Sequence, residues 1–234
     1  MKKARNTSLA AIFVATFILT VTSAQAMMQL FVSDGTNNFT VTDNGLNDSN
    51  STAGVIVLST NFGNVLVSVT TGLSKPIIPS GINDAIMDLN TVNVVSTGSI
   101  TLTVKVSDQD FSAGPSSRFT SSIGGTLSAG AGSSVTSSVL VDLNNGLFTG
   151  TQLCTPTQSF GPGAFAGTCG GNLPTDNQYS ITLADVISFS SAGSASFDHS
   201  LKIPEPSAML LLGAGLVGLA AWGKRKIKNR NIGK

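Results

Sequence analysis

The residues that could do chemistry in this chain begin with its single histidine, His199, which follows Asp198. Serine is abundant, so the pair could in principle support the serine–histidine–aspartate chemistry of acyl transfer. However, the sequence has no G-x-S-x-G turn, no second histidine for a two-histidine metal site and no Walker loop for phosphate. We therefore predict no catalytic residue, and we interpret His199 as a surface or edge residue of the last strand.

The two cysteines, Cys154 and Cys169, enclose the segment CTPTQSFGPGAFAGTC, which is rich in glycine and proline. A redox pair favours C-x-x-C spacing and a structural zinc site needs more ligands, so neither use fits. A pair of this kind oxidises in an exported protein. We predict a disulfide that pins an exposed loop, worth about 3 kcal/mol in the chain-entropy account for a loop of about 15 residues.

The stretch SDGTNNFTVTDNGLNDSNSTAG at residues 33–54 contains the oxygen ligands that calcium prefers. An EF-hand loop needs glycine at its sixth position, but that position is Phe39 counted from Asp34 and Asp48 counted from Asp43. Aspartate, asparagine and glycine are also the residues that turns require. Turns on a solvated edge are the preferred interpretation and calcium binding stays open. We predict no metal site and no cofactor.

The elements that must position these residues are strands. Short runs rich in β-branched residues recur from Met27 to Ile203, and glycine, asparagine, aspartate and proline separate them. In SITLTVKVSD, the side chains of Ile100, Leu102, Val104 and Val106 alternate with polar ones. We predict an all-β body, an antiparallel β-sandwich or jelly-roll-like domain at residues 27–203.

Two segments of the body are less regular. The sequence from Asp84 to Leu89 is compatible with one helical turn. The segment from Ser116 to Ser138 is dominated by serine and threonine, which suits either a flexible linker or strands of small residues. We prefer strands joined by a loop, because a linker there would cut the domain in half.

The first 26 residues form the pattern of a secretory signal peptide. Lys2, Lys3 and Arg5 precede an apolar stretch from Leu9 to Val21, and Ala24-Gln25-Ala26 forms an A-x-A cleavage site. We therefore expect signal peptidase to use Ala24 and Ala26, so that the mature chain begins near Met27. An uncleaved anchor is the alternative.

The charge of the body differs from that of the whole chain. The chain carries a formal net charge of +1, but residues 27–203 contain four lysines or arginines against eleven aspartates, a net charge of −7. Because phosphate binding needs a basic face, nucleic acid is not an expected partner. The other basic residues lie at the two ends of the chain. Both ends would stay on the cytoplasmic side while the body is exported.

The segment 204–234 has three parts. Pro204-Glu205-Pro206 is followed by an uncharged run from Ser207 to Trp222, and a tail at 223–234 holds six basic residues. We predict a transmembrane helix at 207–222, short for a bilayer but flanked by residues that snorkel. The run also fits G-x-G-x-x-G at 213–218, but the strand-to-helix phosphate loop that dinucleotide binding requires is not plausible here, and only a dozen residues follow Trp222.

This order of parts resembles the PEP-CTERM sorting signal of Gram-negative bacteria that make extracellular polysaccharide. The preceding stretch YSITLADVISFSSAGSASFDHSL also resembles the last strands of bodies in this group. The resemblance implies that an exosortase, a membrane cysteine protease or transpeptidase, removes the tail near Pro204, Glu205 and Pro206. Two prolines keep the tripeptide extended, as a protease requires of its substrate. A stalk before a permanent anchor is the alternative.

The sequence thus predicts an exported surface or matrix protein that is anchored transiently through its C-terminal helix and then processed. Its body is expected to be a non-enzymatic structural or interaction protein, with extracellular polysaccharide as a further partner. A carbohydrate-binding module is the first alternative. Few aromatic side chains are available to stack on sugars, because Tyr179 is the only tyrosine and the only tryptophan, Trp222, ends the predicted transmembrane helix. An exported hydrolase is the second.

Overall fold

The computed structural model describes residues 28–74, 85–112, 117–173 and 178–203, and all regular structure in these ranges is β-strand. No helix in the described part of the chain is long and apolar enough to cross a membrane. The strands are β1 (Gln29–Ser33), β2 (Asn38–Thr42), β3 (Val55–Phe62), β4 (Val65–Leu73), β5 (Ala85–Ser96), β6 (Ile100–Ser112), β7 (Arg118–Ser128), β8 (Ser134–Asp142), β9 (Thr151–Gln152), β10 (Gln158–Phe160), β11 (Gly163–Asn172), β12 (Gln178–Phe189) and β13 (Gly193–Ile203).

The strands form two sheets. Sheet A has the order β10-β8-β12-β6-β1-β2, with β9 also paired to β8, and sheet B has the order β11-β7-β13-β5-β4-β3. The pairings within each sheet are antiparallel. The two sheets share one hydrophobic core. The prediction of an all-β antiparallel sandwich is therefore confirmed.

The core follows from alternation of apolar and polar residues along the long strands. In β6, Leu102, Val104 and Val106 are fully buried, as the period of two predicted. Burying one such side chain contributes about 1.5–3 kcal/mol relative to leaving it exposed. The apolar side chains of both sheets meet in this way, as in other sandwiches of aligned sheets.

The expected helical turn is wrong over the residues that the structure describes. Strand β5 begins at Ala85, and its buried Met87 and Leu89 alternate with the partly exposed Asp88 and Asn90. The short sequence suits a helical turn, but this period-two pattern places its apolar residues on the core side of a strand. The serine- and threonine-rich segment forms β7 and β8, as the preferred interpretation stated.

Both ends of the described body lie at the same end of the sandwich. β12 and β13 run in opposite senses because only residues 190–192 separate them, so β13 ends where β12 begins. Gln29 at the start of β1 pairs with Ser107, and Ser107 pairs with Thr182 near the start of β12. Met28 and Ile203 are both fully buried. The first and last described residues of the body therefore lie at one end of the sandwich.

Candidate functional site around strand β13

Strand β13 is an internal strand of sheet B, between β7 and β5, and it carries His199. Its residues alternate between the core and the outer face, so Phe197, His199 and Leu201 are buried while Asp198 is exposed. Sequence analysis placed His199 on the surface or at an edge beside Asp198. That interpretation is wrong, because His199 is only 1% exposed and its partners come from other strands.

The histidine belongs to a polar cluster between the two sheets. Its Nδ1 lies 3.1 Å from Oδ2 of Asp185 on β12. Its Nε2 lies 3.1 Å from Oγ of Ser121 on β7. Oγ of Ser137 on β8 lies 3.3 Å from Nε2 and 3.4 Å from Nδ1. Each sheet thus contributes two members, and the cluster joins the sheets through polar contacts within an apolar core.

The cluster has the residue types of a hydrolase triad but not its accessibility. Its four side chains are between 0% and 5% exposed. A nucleophile must reach the reacting carbonyl, which these hydroxyls cannot do without opening the sandwich. Oδ1 of Asp185 has no hydrogen-bond partner among the described residues, so burial of this carboxyl is incompletely compensated. In the folded state the four side chains link the two sheets through polar contacts.

Sequence reasoning overlooked three of the four members, although a signal was present. Asp185 stands between Leu183 and Ile187 at a position where the alternation of β12 requires an inward side chain. Ser137 stands likewise between Val135 and Val139. A polar residue at an inward position of an alternating strand has to find a buried partner. His199 is also a polar residue at an inward position. Matching such positions between strands would have identified Asp185 and His199 as partners.

The outer face of sheet B carries a second group of polar residues. Strand β5 has an extra residue opposite Asp198, where Thr91 adopts a positive φ of 55° and its N–H donates to Oδ1 of Asp198 over 2.5 Å. Partial burial and the nearby Asp198 raise the pKa of Asp88, against a smaller opposing effect of His199. Bulges of this kind aim a side chain or end a pairing. Here the bulge fixes an exposed carboxylate.

The predicted cysteines lie at the side of the sandwich formed by β9, β10 and β11. Cys154 and Cys169 form a disulfide, with Cα atoms 5.9 Å apart. The segment from Thr155 to Phe160 and the residues from Ala166 to Cys169 line a cavity of about 450 Å³. Phe160 stacks on Phe165 at 4.9 Å between ring centroids, which closes the core beneath this cavity.

The aspartates of the stretch 33–54 serve turns. The carboxylate of Asp34 accepts hydrogen bonds from the N–H groups of Thr36 and Asn37, which lower its pKa. The carboxylate of Asp48 accepts from Asn44, Asn50 and Val57. No group of three or more potential metal-ligating side chains occurs in the described ranges. These bonds support the turn interpretation of the stretch.

The other predicted site residues lie outside the described residues. They are Ala24 and Ala26 of the signal cleavage site and Pro204, Glu205 and Pro206 of the sorting motif. What the structure does give is the boundary. Ile203, the residue before the motif, is fully buried and pairs with Ala85, while Lys202 pairs with Thr120 of β7. The fold therefore reaches the sorting motif without a spacer.

Structural similarity to known proteins is weak. The carbohydrate-binding module TmCBM61 in complex with β-1,4-galactotriose has 9% identity over 60% of this chain and 89% of its own, with a TM-score of 0.33. The family 11 carbohydrate-binding module from Clostridium thermocellum, in complex with a β-1,3-1,4-mixed-linked tetrasaccharide, has 13% identity over 76% and 97%, with a TM-score of 0.29. Infectious bursal disease virus, Gx strain, has 14% identity over 78% and 51%, with a TM-score of 0.30. Similarity at this level carries no argument about function.

Comparison by sequence is informative at one place only. No curated protein matches the chain. A family model described as the PEP-CTERM protein-sorting motif matches residues 202–226. The match starts at Lys202 inside β13 and covers the tripeptide, the apolar run and the first basic residues. The resemblance seen in the sequence is thereby confirmed: the chain carries a PEP-CTERM sorting motif at residues 202–226.

Proposed function

We propose that this chain is an exported surface or matrix protein that an exosortase sorts and processes. Its body acts as a non-enzymatic structural or interaction protein among the extracellular polysaccharide of a Gram-negative bacterium. The observation that carries the proposal is the match to the PEP-CTERM sorting motif at residues 202–226. The signal-peptide pattern that ends at Ala26 and the disulfide agree with export, because disulfides persist in oxidising compartments.

The boundary of the fold supports a specific mode of processing. A protease that reads an extended segment has to bind it outside existing secondary structure. Up to Lys202 the backbone is paired on both sides within sheet B, and Ile203 still pairs with Ala85, so access begins at Pro204. Three residues, Pro204 to Pro206, separate Ile203 from the uncharged run, a span of at most about 11 Å. Before processing, this end of the body would lie close to the membrane surface.

The buried cluster supports the non-enzymatic part of the proposal. His199 is the chain's only histidine, and both of its ring nitrogens already face buried partners. Sugar binding through stacking has little support as well. Tyr179 is fully buried, and the only tryptophan, Trp222, lies in the uncharged run outside the body. Polysaccharide association would then depend on polar contacts of the exposed faces or on proteins of the matrix.

Two strains test the proposal. In one, Ala-Ala-Ala replaces Pro204 to Pro206, and in the other the host's exosortase is deleted. In both, export should be intact because the signal peptide is unchanged, but the full-length chain should accumulate in the inner membrane. Cell fractionation with antibodies to the body measures this, and Ser196→Ala on the exposed face of β13 is the control. Normal release of the body in both strains would refute exosortase processing.

A third strain tests the association with polysaccharide separately. In a host that makes no extracellular polysaccharide, the processed body should move from the cell surface into the medium. Quantitative blotting of the two fractions measures the shift. Unchanged retention at the surface would refute polysaccharide as the partner while leaving exosortase processing untouched.

A further inference from the structure

Strand β11 forms one edge of sheet B, and its outer side has almost no hydrogen-bond partners. The N–H of Leu173 donates to the carbonyl of Ser117 over 2.9 Å, which identifies the odd-numbered residues as those bonded to β7. The backbone groups of the even-numbered residues therefore point away from β7. Among the described residues only the carbonyl of Thr168 is bonded on that side, by Nε2 of Gln158 at 2.9 Å.

Apart from the contact of Gln158 with Thr168, this edge lacks the devices that proteins use to prevent edge pairing. Such devices are short strands, charges, proline, bulges and covering loops. β11 is ten residues long, its register with β7 is unbroken, and its sequence GAFAGTCGGN contains no charge and no proline. A row of free N–H and C=O groups of this length is a template for another strand.

The opposite edge of sheet B is strand β3, which has contacts that hinder its pairing with another strand. The register of β3 shifts at Val57, between Ile56 and Leu58. The N–H of Val57 donates to Oδ1 of Asp48, and its carbonyl accepts from the N–H of Ser49, each over 3.0 Å. The loop before β3 thus occupies the outward backbone groups of Val57. The edge strands of sheet A, β2 and β10, have only five and three residues.

The side chains along β11 leave room for a neighbouring strand. The exposed residues are small or polar: Ala164, Ala166, Thr168, Gly170 and Asn172. The cavity of about 450 Å³ between this strand and the segment from Thr155 to Phe160 flanks the edge. A partner strand could place alternate side chains there while its backbone pairs with β11.

The charge distribution limits where two copies of this chain can meet. The body carries a net charge of −7, so two copies repel each other over most of their surface. β11 is uncharged, and the antiparallel pairing of a strand with its own copy satisfies a twofold axis. We propose that β11 pairs antiparallel with β11 of a second copy of this chain, which would join two B sheets into one continuous sheet.

Self-association of the processed protein recovered from the cell surface tests the proposal. Sedimentation velocity over a concentration series should show a reversible dimer. The double variant Ala164→Lys and Ala166→Lys should weaken the dimer by at least about tenfold, since charged side chains on an edge strand oppose its pairing with another strand. Ser59→Lys on the protected edge strand β3 is the matched control and should leave the dimer unchanged. A monomer at every concentration, or equal weakening by both variants, would overturn the proposal.

Amide hydrogen exchange tests the geometry even if the double variant folds poorly. Raising the protein concentration should slow the exchange of the N–H groups of Ala164, Ala166, Gly170 and Asn172 in the wild-type protein. The N–H groups of the intervening odd residues, already bonded to β7, should be unaffected. A dimer in which these even-numbered amides exchange as fast as in the monomer would show that association uses another surface.

Discussion

The body and the sorting region of this chain meet opposite physical demands. Residues 27–203 carry a net charge of −7 and bury alternate side chains between two sheets. The region from Pro204 onward has one acidic residue, an uncharged run of sixteen residues and then six basic ones. The first part forms the β-sandwich, and for the second the sequence predicts a membrane helix. Ile203, which ends β13, marks the change from one to the other.

At the boundary between the body and the sorting region, strand β13 is held on the body side by buried polar contacts. His199 lies four residues before Ile203 on the same strand and links it to β7, β8 and β12. Weakening these contacts would loosen the strand that leads into the sorting motif. Substitutions in the body should therefore change its free energy of unfolding, and their effects differ in size.

The largest effect is expected from His199→Ala. Removing one partner of a buried, hydrogen-bonded pair typically costs about 3–5 kcal/mol, because the other charge or dipole is left buried without compensation. Urea denaturation of the processed protein measures the free energy of unfolding. Asp185→Ala should cost a similar amount, and the exposed Ser196→Ala should change stability by no more than about 0.5 kcal/mol. Equal stability of His199→Ala and Ser196→Ala would show that the cluster does not hold the sheets.

The next effect concerns the disulfide between Cys154 and Cys169. Replacing both cysteines by serine should lower the free energy of unfolding by about 3 kcal/mol, the value expected for a closed loop of this length. The double replacement avoids a free thiol, and the wild type under reducing conditions should reproduce the loss. Two titratable thiols in native protein from the cell surface would contradict both the bond and the oxidising compartment.

The smallest effect is expected at Asp88. Partial burial and Asp198 raise the pKa of this carboxyl, so its charged form is disfavoured in the folded state. The resulting destabilisation appears as the pH rises through the carboxyl pKa and is absent in acid. Asp88→Asn should therefore stabilise the protein near pH 7 by at most about 0.5 kcal/mol, since the site is partly exposed and screened.

Asp34 provides the opposite control for this pH effect. Hydrogen bonds from Asn37 and Thr36 hold the pKa of its carboxyl below the usual range. Its contribution to stability is present above pH 4 and is lost as the pH falls through the folded-state pKa. Asp34→Asn should thus destabilise at neutral pH. Melting temperatures at several pH values measure both variants, and shifts of the same sign would contradict the assignment.

Much of the fold could be predicted from the sequence because its strands are long and strictly alternating. In β6 the apolar residues recur at every second position, and no helical pattern competes with them. At Asp84 to Leu89 a short stretch satisfied both patterns, and the neighbouring strands decided in favour of β5. Local sequence cannot resolve such a stretch, since sheet pairing is a non-local interaction.

The site was less predictable than the fold. The sorting motif could be recognised because the tripeptide, the uncharged run and the basic residues follow one another directly in the sequence. The polar cluster depends on Ser121, Ser137, Asp185 and His199, which lie far apart in the chain and meet only when the sheets pack. The free edge of β11 depends on strand order, which the sequence does not state.

Processing at the sorting motif is tested most directly by the intact mass of the protein recovered from the cell surface. We expect a mature chain that begins near Met27, retains Ile203 and ends before the uncharged run, because the fold protects β13 and exosortase would cut after it. C-terminal peptide sequencing locates the end. A mature protein that still carries Leu216, Trp222 and the basic residues from Lys224 to Lys228 would contradict this account, as would one that ends within β13.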